Sequence, residues 1–186
     1  MTTRPFIASV ARIPLVAAAL VLIAMLPAYG EELPSKEYQV KAAYLFNFTK
    51  FVDWPPKTFA NASAPIVIGI LGDDPFGPLL DGLVKGETVH NRKLTVIRAR
   101  QIDDLKSCQI VFIGKSEESH IPQILAVLGD ASILTVGETE GFAKRGGIVN
   151  FYLDENKVRF EINRDAARKH GLNISSRLLS LAKIVD

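Results

Sequence analysis

The sequence predicts an α/β fold: a single three-layer domain whose mostly parallel sheet is flanked by helices and carries a C-terminal antiparallel hairpin at the edge. Three observations carry that prediction. Strand-like and helix-like stretches alternate from Pro65 to Lys144, the pattern of parallel strands joined by crossovers. The runs Ile66-Val67-Ile68-Gly69-Ile70-Leu71 and Ile110-Val111-Phe112-Ile113 are apolar without alternation, as expected of strands covered on both faces. Two further runs, Ile148 to Leu153 and Lys157 to Ile162, are separated only by Asp154-Glu155-Asn156, whose turn chemistry favours an antiparallel hairpin.

Taken in order, the first helix starts at Ser35, a good N-cap residue. Its apolar residues Val40, Ala43, Tyr44, Leu45, Phe46, Phe48, Phe51 and Val52 recur at three- and four-residue spacings, which predicts a wide buried face. Pro55 and Pro56 end it and force a corner at Trp54, the chain's only tryptophan, because proline lacks the donor that a helix needs and biases the preceding residue toward extended dihedrals. Pro65 to Leu71 is the first central strand, followed by the loop Gly72 to Gly77 and a short helix from Pro78 to Val84. Glu87 to Asn91 reads as a loop or short edge strand and Lys93 to Ala99 as a strand. Gln101 to Lys106 is one helical turn and Cys108 to Gly114 a third strand. Glu117 to Leu128 is helical by period and stops at Gly129; Ile133 to Val136 is a fourth strand and Glu138 to Lys144 a short helix or turn. After the hairpin come a helix from Arg164 to His170, closed by Gly171, and a last helix from Ser175 to Val185.

Residues 1–30 read as a secretory signal peptide: Arg4 and Arg12 give a basic start, Ile13 to Leu26 is a short apolar run, and Ala28-Tyr29-Gly30 supplies small residues before Glu31. The apolar run is shorter than the roughly 20 residues of a spanning helix and contains Pro14, so an exported chain, residues 31–186, with no stable membrane anchor after cleavage is expected. Those residues carry 20 basic and 20 acidic groups. Without bulk charge, nucleic acid is not an expected partner. Cys108, the sole cysteine, cannot form an intramolecular bridge and opens an apolar strand, which suits a small buried hydrophobe.

Signals for catalysis and metal binding are weak. His90, His120 and His170 lie far apart in polar surroundings, and no nucleophile elbow, P-loop or dinucleotide fingerprint occurs. No enzymatic activity, cofactor or metal is therefore expected. An open α/β sheet places ligands at the carboxyl ends of its strands, so Gly72, Asp73, Asp74 and Phe76 are candidate ligand-binding residues; the same aspartates could instead cap the following helix. In the hairpin, Arg159 and Glu161 share one face of their strand, opposite Val158, Phe160 and Ile162. They form either a solvated charged face or a recognition surface. Phe151 and Tyr152 are adjacent, so one must point away from the core. Arg177 lies on the polar side of the last helix.

Five motifs, in order, resemble the YfiR-like periplasmic family: Lys41-Ala42-Ala43-Tyr44-Leu45-Phe46-Asn47-Phe48-Thr49-Lys50-Phe51-Val52-Asp53-Trp54-Pro55, Ile68 to Gly77, Leu134 to Glu138, the hairpin segments Gly146 to Phe151 and Val158 to Asn163, and Leu172 to Ala182. The resemblance implies a periplasmic, non-enzymatic, dimeric regulator that binds the periplasmic sensor region of an inner-membrane diguanylate cyclase and represses cyclic di-GMP production, which restrains biofilm formation. Phe48, Trp54, Phe151, Arg159, Glu161 and Arg177 are the partner-binding candidates on that view. The family's namesake depends on disulfides, a feature a single cysteine cannot reproduce. The alternative is a periplasmic small-molecule-binding module feeding a sensor kinase or transporter, with its pocket at the Gly72 loop.

Overall fold

The computed structural model describes residues 35–185, so the expected signal peptide lies outside the described residues. Helix α1 runs Lys36–Phe51. It begins as expected at Ser35, whose carbonyl accepts from the Gln39 amide (3.0 Å) although its side chain makes no cap. Its inward stripe is Lys41, Ala42, Leu45, Phe48 and Thr49. After it come β1 (Val52–Asp53), β2 (Ile66–Leu71), α2 (Pro78–Val84), β3 (Thr88–Val89), β4 (Arg92–Ala99), β5 (Ile110–Ile113), α3 (Ile121–Leu128) and β6 (Leu134–Gly137). The chain ends with β7 (Val149–Asp154), β8 (Lys157–Asn163), α4 (Arg164–Lys169), β9 (Asn173–Ile174), α5 (Ser176–Leu179) and β10 (Lys183–Val185).

The main sheet has eight strands in the order β10-β8-β7-β6-β5-β2-β4-β3. Strands β4, β2, β5, β6 and β7 are parallel, β3 pairs antiparallel to β4, and β8 pairs antiparallel to β7 and parallel to β10. The predicted hairpin forms in register Tyr152↔Arg159 and Asp154↔Lys157. Its loop, Glu155-Asn156, has φ of 48° and 61°, the paired left-handed conformation of a two-residue turn that follows the sheet's twist.

Each face of the sheet has its own core. On one, α1 and α2 cover Ile68, Ile70, Phe112, Val136, Phe151 and Phe160; on the other, α3 and flanking turns cover Leu71, Val111, Ile113 and Phe142. Phe142 is held by close backbone approach. A Cβ on Gly147 would sit 2.1 Å from its ring, and one on Gly137 2.5 Å. Gly147→Ala should therefore lower stability by about 1–3 kcal/mol through overpacking, read as a lower urea midpoint.

Two features depart from the sequence reading. The last helix is only one turn, α5, capped by Ser175 Oγ accepting from the Leu178 amide at 3.2 Å. Lys183 to Val185 is instead a strand parallel to β8. The open edge of β8 supplies backbone partners that a further helical turn would leave unused, and Leu181 is 65% exposed. Second, β1 and β9 form a separate two-stranded sheet, Val52↔Ile174 and Asp53↔Asn173, which fastens the end of α1 to the segment after α4.

Candidate functional site

The Gly72 loop is filled by its own interactions. Gly72 takes φ 86°, and a Cβ there would lie 2.3 Å from Ser116 Oγ. The Asp73 amide donates to that hydroxyl (3.0 Å), and the exposed Asp73 carboxylate pairs with Arg100 (2.6 Å). Asp74 accepts from the Phe76 amide at 2.8 Å and pairs with Arg98 at 2.6 Å. Arg98 also meets Asp81 (2.5 Å) and the Gly77 carbonyl (2.9 Å). Those carboxylates, Asp81 foremost, hold its guanidinium well above the ordinary range despite partial desolvation. Phe76 is wholly buried, edge-on to Phe112 with ring centroids 4.8 Å apart. The loop thus serves as a structural corner, and its aspartates do not cap α2, whose N-cap is Gly77.

The aromatic partner-binding candidates face inward. Phe48 stacks on Phe151 with centroids 5.9 Å apart and meets Phe160 edge-on at 5.5 Å, and both Phe48 and Phe151 are buried. This corrects their assignment to a recognition surface: Phe151 shares the face of β7 that packs on α1, so the outward aromatic is Tyr152, half-buried opposite Arg159. Trp54 is buried too, its indole N–H donating to the Gln109 carbonyl at 3.0 Å. Arg159 and Arg177 are exposed, Arg177 over the Phe51 ring at 5.6 Å. Glu161 does share a face with Arg159 but is only 7% exposed, because β10 lies beside it in register Lys183↔Glu161.

A cleft of about 830 Å³ lies beyond the end of β6, beside the hairpin. Its inner wall contains a buried charge cluster. Lys41, 2% exposed, pairs with Glu138 at 2.5 Å and with Glu37 one helical turn earlier. The Tyr38 hydroxyl donates to Glu138 Oε1 at 3.3 Å, and burial followed by the charge of Glu138 pushes the phenol up to about 12. Further along, Asn150 Nδ2 donates to Glu161 Oε1 at 3.2 Å. The inner wall, Lys41 against Glu37, Glu138 and Glu161, is net acidic; the exposed rim, Lys115, Lys144, Arg145 and Lys183 against Glu118 and Glu140, is net basic. Sequence reasoning missed this cluster. The available signal was Lys41 itself, which lies in line with Leu45, Phe48 and Val52 on the buried stripe of α1, where a lysine needs partners.

Cys108 is buried under Leu105 near Gly69, and desolvation pushes its thiol up to about 12. A thiol kept neutral is a poor nucleophile. Its linkage contribution is complete below the unfolded value near 9 and declines above it, because the unfolded thiol ionises first. Cys108→Ala should therefore show a shallower fall of stability with pH above about 9 than the parent chain, measured by urea unfolding.

Among the described residues, no group of three or more His, Cys, Asp or Glu side chains could hold a metal ion, and no helix is long and apolar enough to cross a membrane. A family model described as YfiR/HmsC-like matches residues 38–183. No curated protein matches. Among solved structures, a conserved domain protein from Vibrio cholerae is 15% identical with a TM-score of 0.53, over 80% of this chain and 60% of that one. An ABC domain in complex with L-Trp from Streptococcus pneumonia is 10% identical with a TM-score of 0.46, over 64% of this chain and 55% of that one. The chain thus spans less than two thirds of these solved chains, and the first of them shares its fold.

Proposed function

The chain belongs to the YfiR/HmsC-like family, and from that premise we propose that it is an exported regulator that binds the periplasmic sensor region of an inner-membrane diguanylate cyclase and represses cyclic di-GMP synthesis. The family is known for periplasmic regulation of diguanylate cyclases and is regulatory rather than catalytic. The match over residues 38–183 is the observation that carries the reading. Residues 1–30 act as its signal peptide, and the chain works as a homodimer.

The surface that suits such a partner is the outer side of the hairpin. Tyr152 stands opposite Arg159 there; an aromatic next to an arginine is the composition of an interface hot spot. Arg159 remains a contact candidate, and so does Arg177. Tyr152→Ala with Arg159→Glu should weaken partner capture by about tenfold or more, since each hot-spot truncation costs about 2 kcal/mol, and should leave the unfolding midpoint unchanged. Affinity capture from membranes with the tagged protein tests the role: recovery of a cyclase with a periplasmic sensor region is expected. Recovery of a sensor kinase or transporter in its place would overturn it.

A further inference from the structure

The cleft beside the hairpin contains a polar atom that no described residue satisfies. Asn150 is 3% exposed, and its side-chain orientation is fixed because Nδ2 donates to Glu161; turned over, the amide oxygen would face a carboxylate. Among the described residues Oδ1 is thereby left buried without a hydrogen-bond partner, an unfavourable condition unless something donates to it. Beside it, the Glu161 carboxylate is buried and forms no ion pair among the described residues. An orphaned amide oxygen next to an unpaired carboxylate calls for a cation with several N–H donors. One carboxylate and one amide are too few to cage a metal ion, whereas a primary ammonium offers three donors in a small volume.

The charge gradient of the cleft defines the rest of the ligand. Its inner wall is net acidic and its rim net basic, a polarity that favours a molecule entering with its cationic end first and leaving its anionic end at the mouth. Tyr152 and Leu153 also line it and give an apolar side. A volume of about 830 Å³ falls within the range of small-molecule sites. We propose that this cleft binds a small zwitterion, an α-amino acid in its simplest form, with the ammonium held by Asn150 Oδ1 and Glu161 and the carboxylate on the Lys144 and Arg145 rim.

This site is distinct from the Gly72 loop, and binding is measured on the isolated protein without a cyclase, so its failure and failure of the regulatory role are separate outcomes. The purified protein is titrated calorimetrically with each proteinogenic L-amino acid in turn, and with the N-acetyl derivative of any that binds. Saturable binding of at least one is expected. N-acetylation, which removes the ammonium, should weaken it by about tenfold to a hundredfold, the value of a charged hydrogen bond. Glu161→Gln, which keeps the side chain's size, should weaken it to a similar extent without moving the unfolding midpoint; if that variant does not fold, the N-acetyl comparison on the parent protein decides. Absence of binding by every amino acid, or binding indifferent to N-acetylation, would overturn the proposal.

Discussion

Lys41→Met is expected to destabilise the protein by about 3–5 kcal/mol, since removing one partner strands a buried charge. Among the described residues, Lys41 is the only cation paired with Glu138, whose side chain is 2% exposed. Without it, the carboxylate retains only the Tyr38 hydroxyl at 3.3 Å. Glu37 would also lose its partner but is partly exposed and can be hydrated. The asymmetry provides the check. Glu138→Gln leaves Lys41 still paired with Glu37, so it should cost less than Lys41→Met. Lys41→Met combined with Glu138→Leu should recover part of the loss, because an apolar replacement of both partners removes the stranded charge. Urea unfolding of the three variants measures this; a double variant no better than Lys41→Met would mean that the ion pair is not the source of the effect.

Trp54→Ala is the second large effect, about 3–5 kcal/mol, for loss of a large buried aromatic and the cavity left behind. Trp54 is placed by the turn into Pro55-Pro56 and packs in the same core as Val52 and Ile66. Its indole also satisfies the Gln109 carbonyl just before β5. Trp54→Phe keeps most of the packing and drops that bond, so it should cost about 1–3 kcal/mol. For a chain of this size, each kcal/mol lowers the melting temperature by about 2–4 °C, so the alanine variant should melt roughly 10 °C lower. An unchanged melting temperature with weakened capture of the membrane partner would make Trp54 a contact residue.

The sheet was legible in the sequence because its central strands are continuous apolar runs bounded by glycine, proline and polar residues. Ile66 to Leu71 and Ile110 to Ile113 fall where expected, and the hairpin turn lies within Asp154-Glu155-Asn156. What failed depended on long-range partners. Leu178, Leu181, Ala182 and Val185 fit a helical spacing, and only the free edge of β8 turns Lys183 to Val185 into a strand. Strands β1 and β9 are two residues each, too short for any period. The period-two rule put Arg159 and Glu161 correctly on one face, but it does not reveal that β10 and the loop after β6 partly cover that face, so one is exposed and the other buried. Similarly, Phe151 and Tyr152 were seen to point opposite ways, and the structure assigns Phe151 to the core. The cleft is not legible in the sequence because Lys41 and Glu138 are 97 residues apart, and no local pattern joins them.

The regulatory role is tested most directly by cellular cyclic di-GMP, measured by mass spectrometry in the host strain, in a strain lacking this chain, and in one complemented with it. A rise on deletion is expected, with return to the parental level on complementation and no rise when the partner cyclase is deleted as well. Cyclic di-GMP unchanged by deletion, or lowered by it, would contradict the role of a repressor.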